Sequence, residues 1–268
     1  MIVVVNGSTE SWLKYGEFFY DLYQRGYSIS SYDHRGQGLS PRLVPANHQI
    51  VQIDDFGLYA ADLNGFVEQE ILPGGYGKLY LLGHSMGGAV ALDYLDRYPS
   101  PFRSVVLSSP MLRINTSPYP ELIARSVVAL FCAIGLGDHY AVGMHDWNPR
   151  EPFTNNKLTS SRSRWDAIQH VWSDHPEAVA GGPSNDWVKQ SISHTSLIRG
   201  RLPEIKSSVL ILQAGKDQWV MNPDQEMAQA KIPGARLVRF PGAQHEILME
   251  RDTIRDQAIE QMDVFFRN

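Results

Sequence analysis

Residues 79–88 read Leu-Tyr-Leu-Leu-Gly-His-Ser-Met-Gly-Gly and contain the most informative motif of the chain. Its apolar start favours a buried strand, and helical spacing runs from Met86 to Arg97 before Pro99 ends it. Between the two elements lies the pattern Gly-x-Ser-x-Gly, with Ser85 at its centre. A serine on such a tight strand-to-helix turn projects its hydroxyl above the sheet and needs small residues beside it. The stretch therefore predicts a reactive serine at the carboxyl end of a strand.

Short apolar runs and amphipathic stretches alternate on both sides of this turn. The predicted strands cover residues 2–5, 27–32, 79–82, 104–107, 208–213 and 236–240. The predicted helices cover residues 15–25, 55–70, 86–97, 224–230 and 251–266, and Asp55 is the expected N-cap of the second. Strands and helices in alternation are typical of βαβ units. The expected fold class is therefore α/β, with a mostly parallel sheet flanked by helices.

The alternation stops between Pro110 and Pro203, where the apolar runs look helical or irregular. This insertion of ~90 residues is far longer than an ordinary connection of about 4–6 residues. An insertion at the carboxyl ends of parallel strands lies over the ligand crevice. We therefore expect a core formed by residues 1–110 and 202–268, interrupted by a mainly helical cap at residues 111–201. The substrate-binding residues are expected within that cap, without being individually identified.

A serine hydroxyl becomes a nucleophile at neutral pH only beside a base that an acid orients. On the predicted fold these groups follow the serine in the order acid, then histidine. Asp217 and His245 each come shortly after a predicted strand, so both reach the sheet edge that carries Ser85. The predicted catalytic triad is therefore Ser85, Asp217 and His245. Asp224 is the competing acid, although the Asn-Pro before it favours a helix start.

The oxyanion of an acyl-transfer intermediate needs two backbone N–H donors. The residue after the nucleophile, Met86, is expected to supply one of them. The turn Asn6-Gly7-Ser8 after the first strand is expected to supply the other, and the Ser8 N–H is preferred over that of Gly7. A plain turn without this role is the alternative.

Composition excludes several other classes of protein. A net charge of −5 argues against non-specific binding to a nucleic-acid backbone. The single cysteine, Cys132, excludes an intramolecular disulfide and any zinc site built from several cysteines. His170 and His175 are five residues apart, which is a poor spacing for two metal ligands on one helix face. We therefore expect no metal, no cofactor and no nucleic-acid partner.

Three segments together carry a resemblance to a known family. They are Tyr-Asp-His-Arg-Gly-Gln-Gly-Leu-Ser at 32–40, Gly-His-Ser-Met-Gly-Gly at 83–88 and Gly-Ala-Gln-His-Glu at 242–246. The chain resembles α/β hydrolases of the group that contains serine aminopeptidases, lysophospholipases and monoacylglycerol lipases. Further matches at 14–17 and 181–183 favour the lysophospholipase branch. The resemblance covers essentially the whole chain and implies an α/β-hydrolase fold.

The resemblance also implies roles for the site residues and shows two departures. The implied roles are those of a triad for Ser85, Asp217 and His245, and of oxyanion donors for Met86 and Ser8. Relatives have His-Gly or Pro-Gly where this chain has Asn-Gly at 6–7, which bears on the second oxyanion donor. Relatives also carry two strands ahead of the first strand found here. We therefore expect N-terminal strands to be missing, which would leave the strand at 27–32 as a bare sheet edge.

The implied activity is hydrolysis of the carboxylic ester of a single-chain lipid through an acyl-enzyme. The lipid is either a lysophospholipid or a monoacylglycerol. Three alternatives stay open. A short-chain carboxylesterase or an acyltransferase would use the same triad, an aminopeptidase-like enzyme would cleave a peptide, and a small-molecule receptor would bind without turnover.

The predicted cap leaves further alternatives open. Residues 122–136 are strongly apolar and either pack on the core or contact a fatty chain or a membrane surface. The four tryptophans of the cap either line the acyl pocket or belong to its core. Arg162 and Arg164 either meet a lipid phosphate or form a solvated charge cluster. With no leader and no membrane-spanning run visible, we expect a cytoplasmic protein, with peripheral membrane contact through the cap as an option.

Overall fold

A computed structural model describes all 268 residues, and a parallel sheet forms its centre. The strands are β1 (Ile2–Val5), β2 (Ile29–Tyr32), β3 (Ile50–Val51), β4 (Leu79–His84), β5 (Phe102–Ser108), β6 (Gly182–Pro183), β7 (Ser208–Ala214) and β8 (Arg236–Phe240). Six of them form the central sheet in the order β2-β1-β4-β5-β7-β8, and every neighbouring pair is parallel. β3 and β6 form a separate parallel pair. All six central strands therefore end at one edge of the sheet.

Eight α-helices accompany the strands. They are α1 (Gly16–Gln24), α2 (Gly57–Phe66), α3 (Met86–Arg97), α4 (Glu121–Ala133), α5 (Arg162–Asp174), α6 (Asn185–Arg201), α7 (Asn222–Lys231) and α8 (Asp252–Arg267). Local chemistry sets their ends. Tyr98, directly before Pro99, has an extended backbone (φ −123°, ψ 149°) and ends α3, because a residue that precedes proline avoids the helical conformation.

Alternate residues of the central strands enter two different apolar cores. Val3 and Val5 of β1 belong to a cluster that also contains residues of α2, α3 and α6. Ile2 and Val4 of the same strand belong to a second cluster that contains residues of α1, α5 and α8. Successive side chains of a strand point to opposite faces, so a strand covered on both faces must be apolar throughout. This is the physical reason for the continuous apolar runs in the sequence.

The predicted α/β architecture agrees with the structure, with local differences. All six predicted strands are present, and their ends shift by at most two residues. The helix predicted at 55–70 instead ends as an α-helix at Phe66 and continues as a π-helix over Val67–Ile71. The helix begins at Gly57 with Phe56 as its N-cap, not Asp55 as predicted, and the Asp55 carboxylate accepts the Gly57 N–H at 2.8 Å from one residue further out. β3 and β6 escaped prediction because two residues are too few to show a period.

Three helices, α4, α5 and α6, lie in the chain between β5 and β7. Trp187 and Ile198 of α6 pack into the same core cluster as α2 and α3. Trp172 of α5 belongs to the cluster on the other face of the sheet. Two of the four tryptophans of this segment are therefore core residues. None of the helices combines the length and the apolar character that crossing a bilayer requires.

Gly87 marks the closest approach of α3 to β1. A Cβ at this position would lie 2.1 Å from the Val5 carbonyl oxygen and 2.5 Å from that of Asn6. We predict that Gly87→Ala lowers the free energy of unfolding by about 1–3 kcal/mol, because backbone atoms must shift to accommodate the methyl group. Chemical denaturation measures this change. Gly65→Ala in α2 is the control, since its Cβ would meet only Gln69 Nε2 at 4.0 Å. Equal stability of the two variants would contradict this account.

Candidate active site

Ser85 occupies a strained turn between β4 and α3. Its backbone adopts φ 52° and ψ −118°, a region that residues other than glycine rarely enter. The Ser85 N–H donates to the Ser108 carbonyl at 3.0 Å, and the Ser85 carbonyl accepts the Met111 N–H at 2.9 Å. A Cβ on Gly83 would lie 2.6 Å from the Gly87 carbonyl oxygen, so the turn closes only with glycine there. This backbone holds the serine at the carboxyl end of the sheet.

The structure brings Ser85, His245 and Asp217 into one hydrogen-bonded chain. His245 Nε2 lies 2.8 Å from Ser85 Oγ, and His245 Nδ1 lies 2.7 Å from Asp217 Oδ2. A carboxylate only accepts, so Nδ1 carries the proton and Nε2 is left to accept from the serine hydroxyl. The Asp217 side chain is fully buried, and its Oδ1 also accepts the N–H groups of Trp219 and Val220 at 2.8 and 3.1 Å.

Electrostatics keep the Asp217 carboxylate charged. Burial by itself would raise the pKa of Asp217, but attraction to His245 and the hydrogen bonds that it accepts lower that pKa below its ordinary value. The aspartate is therefore ionised at neutral pH. It orients the imidazole and would stabilise the imidazolium that forms when His245 takes the serine proton.

Two N–H groups are candidates for the oxyanion hole. Met86 is the first residue of α3, so its N–H has no partner one turn back. In the loop of residues 6–10 after β1, here called the oxyanion loop, the Gly7 N–H donates to Glu10 Oε2 at 2.6 Å. The Ser8 N–H meets no protein acceptor. The sequence ranked the Ser8 N–H ahead of the Gly7 N–H as the second oxyanion donor, and that order stays a prediction.

Gln37 holds the oxyanion loop in shape. Its Nε2 donates to the carbonyls of Gly7 and Glu10 at 2.7 and 3.0 Å, and its Oε1 accepts the Thr9 N–H at 3.2 Å. Thr9 has a φ of 61°, which a threonine adopts only when surrounding contacts enforce it. One buried glutamine therefore fixes the peptides on both sides of Ser8.

One known protein family matches most of the chain. The profile of the family described as "Serine aminopeptidase, S33" matches residues 1–252. The chain belongs to the serine aminopeptidase S33 family. The match covers β1 through the start of α8, and with it the turn at Ser85 and both loops that carry Asp217 and His245. The expected α/β-hydrolase fold is thus confirmed for this family member.

Individual relatives agree with the family assignment. Lysophospholipase L2 of Escherichia coli K12 is 34% identical over 274 residues, which cover 99% of this chain and 80% of that protein. Human monoglyceride lipase is 23% identical, with 99% of this chain and 81% of that protein covered. The crystal structure of a soluble monoglyceride lipase variant from Saccharomyces cerevisiae has a TM-score of 0.77 at 18% identity, covering 99% of this chain and 85% of that one. The last comparison concerns the fold alone.

The sequence did not predict the buried charge cluster that lies beside the hydrogen-bonded chain of Ser85, His245 and Asp217 in this S33 family member. Lys14 Nζ lies 2.6 Å from Glu10 Oε1 and 2.8 Å from Glu246 Oε1. His84 Nε2 lies 3.5 Å from Glu10 Oε1, and the His84 and His245 rings are 5.1 Å apart between centroids. Lys14 and Glu246 are 232 residues apart, so no local pattern announces their contact.

Asp224, the competing acid, lies elsewhere. Its carboxylate forms ion pairs with Arg199 at 3.5 Å and Arg113 at 3.9 Å, near the start of α7. The geometry therefore selects Asp217 over Asp224 as the partner of His245.

The two arginines considered for a lipid phosphate both have carboxylate partners. Arg164 binds Glu17 and Asp252 at 2.7 Å each, and Arg162 binds Asp166 at 2.8 Å. These contacts fit the interpretation as a charge cluster better than the interpretation as a phosphate receptor.

The two aspartates give a matched test of the acid in this S33 family member. We predict that Asp217→Asn lowers kcat by about 10⁴-fold, because the amide no longer holds His245 in the required tautomer. Asp224→Asn should leave kcat nearly unchanged. The measurement is hydrolysis of a nitrophenyl ester below the melting temperature of both variants. The reverse pattern would assign the acid to Asp224.

Proposed function

We propose that this protein is a serine hydrolase that cleaves the carboxylic ester of a lipid with a single acyl chain. The observation that carries the proposal is the continuous chain of hydrogen bonds from Asp217 Oδ2 through His245 to Ser85 Oγ, at 2.7 and 2.8 Å. A nucleophile, a base and an orienting acid at these distances form an activated serine.

The proposed reaction proceeds in two acyl transfers. Ser85 Oγ attacks the ester carbonyl while His245 Nε2 takes its proton. The N–H groups of Met86 and Ser8 would stabilise the oxyanion. The C–O bond to the alcohol then breaks, and the alcohol leaves with the proton from His245. Water next attacks the acyl-enzyme while His245 takes its proton. The bond to Ser85 Oγ then breaks, His245 returns that proton to Ser85 Oγ, and the fatty acid leaves.

The relatives support a lipid ester as the substrate. The protein at 34% identity is named lysophospholipase L2, and the human protein at 23% identity is named monoglyceride lipase. Both names refer to enzymes that act on a lipid ester with one acyl chain. We therefore place the substrate of this chain among lysophospholipids and monoacylglycerols.

A peptide substrate is less well supported. An aminopeptidase must hold the ammonium group of its substrate, which calls for a free carboxylate near the cap. Glu151 accepts hydrogen bonds from Asn148 and Asn155, and Asp166 pairs with Arg162. Two of the three candidate carboxylates therefore have partners within the same segment, whereas Asp174, at the end of α5, is exposed without one; it is the names of the relatives that favour an ester over a peptide.

We also propose that residues 111–201 form a cap over the site and that α4 contacts the lipid aggregate. Leu122, Ile123, Leu130 and Ile134, on and just after α4, are 75%, 50%, 61% and 61% exposed. An exposed apolar helix face of this kind inserts into a lipid surface at the level of the head groups. α4 contacts α6, which is packed into the core, so the exposed face is attached to the catalytic unit.

A matched panel tests the reaction and the substrate class. The panel consists of a lysophosphatidylcholine, a monoacylglycerol of the same chain and a short-chain nitrophenyl ester. We predict preference for one of the lipids, with turnover lost by several orders of magnitude in Ser85→Ala, since triad members act as a unit. Turnover of the short ester alone would indicate a general carboxylesterase, and acyl transfer to added alcohol an acyltransferase. Binding without turnover would indicate a receptor.

The role of α4 is tested by charge substitution. We predict that Leu122→Glu/Leu130→Glu lowers the rate on vesicle-borne lipid at least about tenfold, because two apolar anchors are lost. The rate on a water-soluble nitrophenyl ester should not change. Val264→Glu is the control, since Val264 is 47% exposed on α8. An equal loss on both substrates would show damage to the site instead of lost lipid contact.

A further inference from the structure

The Lys14 cluster consists of Glu10, Lys14, Tyr15, His84 and Glu246, and none of these residues is more than 8% exposed. Lys14 Nζ donates to Glu10 Oε1 at 2.6 Å and to Glu246 Oε1 at 2.8 Å. The Tyr15 hydroxyl donates to Glu10 Oε2 at 2.6 Å. Glu246 Oε2 is buried without a partner, so the ion bridge through Oε1 is what holds this carboxylate in place.

The members of the Lys14 cluster reach three different parts of the candidate active site. Glu10 accepts the N–H of Gly7 at 2.6 Å, within the oxyanion loop. His84 immediately precedes the nucleophile, and Glu246 immediately follows the triad histidine. The two carboxylates that Lys14 bridges therefore belong to the loop that offers an oxyanion donor and to the loop that offers the base.

Lys14 carries the positive charge of the cluster. Burial lowers the pKa of His84 to about 4, so its imidazole is neutral at physiological pH. Burial would lower the pKa of Lys14 as well, but attraction to Glu10 and Glu246 raises it above its ordinary value. Burial would raise the pKa of Glu10, yet the attraction of Lys14 lowers it to about 2. The pKa of Glu246 is raised, mainly by burial.

We propose that Lys14 is a positioning residue whose two ion pairs fix the oxyanion loop and the histidine loop relative to each other. The inference rests on the proposed function, because the groups that it aligns are the Ser8 N–H and the His245 imidazole of that reaction. Misplacement of such groups by about 1 Å is enough to cost about 10²-fold in rate. A buried bridge anchored at both ends restricts movement of this size.

Removing Lys14 has a consequence that depends on pH. The facing oxygens of Glu10 and Glu246 lie within 4.8 Å of each other. Two buried carboxylates this close do not both stay ionised in place. In the variant without Lys14, the repulsion between the two carboxylates raises the pKa of one of them. Below that pKa, this carboxyl holds a proton and the two loops keep their places. Above it, both are charged, and their repulsion displaces the two loops. Tyr15 and His84 also belong to the cluster, and the His245 ring lies 5.1 Å from that of His84; none of these three residues is substituted in the variants compared.

The experiment compares Lys14→Met with the double variant Lys14→Met/Glu246→Gln, in which the formal charge of the cluster equals that of the wild type. We measure kcat and KM for a nitrophenyl ester as ratios to the wild type across neutral pH, so that pH effects common to all variants cancel. For Lys14→Met we expect kcat near the wild-type value at about pH 5.5 and about 10- to 100-fold lower at about pH 8.5, with KM nearly constant. The double variant should show a ratio that does not vary with pH. Lys206→Met, at an exposed lysine, is the control and should match the wild type.

Three results would overturn the inference. A loss that is equal in both variants and independent of pH would mean that Lys14 only supports packing. A rise in KM with kcat retained would mean that the cluster binds substrate. Wild-type kcat in Lys14→Met at every pH would mean that the bridge is dispensable. Absence of Ser85-dependent turnover in the wild type would instead overturn the proposed function together with the inference.

If the Lys14→Met protein does not fold, the Glu10→Gln variant tests the same inference. The amide has the same shape but only one acceptor oxygen for the Gly7 N–H, Lys14 and the Tyr15 hydroxyl. We expect kcat to fall about 10- to 100-fold with KM nearly constant, because the loop that carries the Ser8 N–H, a proposed oxyanion donor, is then held less firmly. An unchanged kcat in this variant would also overturn the inference.

Discussion

The close packing of α3 against β1 is the constraint on which the candidate site depends. Because Gly87 has no side chain, the first turn of the helix lies against the carbonyl groups of Val5 and Asn6. The same contact places the loop that follows β1 beside the first N–H groups of the helix, where the helix dipole favours negative charge. The predicted oxyanion donors, Met86 and Ser8, belong to the helix and to the loop that this contact brings together. The predicted oxyanion hole would in that sense be a product of helix-on-sheet packing.

Parallel pairing brings the other groups to the same edge. Val5 lies opposite Gly83 in the sheet, and Ala214 lies opposite Phe240. The chain that leaves each of these strands therefore emerges beside its neighbours, and Asp217 and His245 follow within a few residues. A parallel sheet needs a crossover after every strand, so each functional side chain comes from a distant part of the sequence. Hydrogen bonds that span 160 and 28 residues join His245 to Ser85 and to Asp217.

Much of this arrangement could be predicted from the sequence, because it depends on local patterns. Apolar runs predicted the strands, and glycine spacing around Ser85 predicted the elbow, since both follow from steric rules that act over a few residues. The order of Ser85, Asp217 and His245 predicted which groups meet, although their catalytic roles stay predictions. Lys14 could not be predicted in this way. A lysine before a helix is ordinarily exposed, and only tertiary packing decides that this one is 8% exposed between two carboxylates.

The strained backbone of Ser85 and the buried ion bridge of Lys14 lie at the same edge of the sheet. The left-handed backbone of Ser85 costs about 1–3 kcal/mol. A buried ion bridge is often no more stabilising than apolar side chains of the same volume. Both occur near the points where β1 and β4 end. A sheet covered on both faces supplies enough stability to hold strained and charged groups at its edge. Because β1 and β4 are each paired on both sides, the loops that follow them start from fixed positions, and a fixed geometry is what acyl transfer needs.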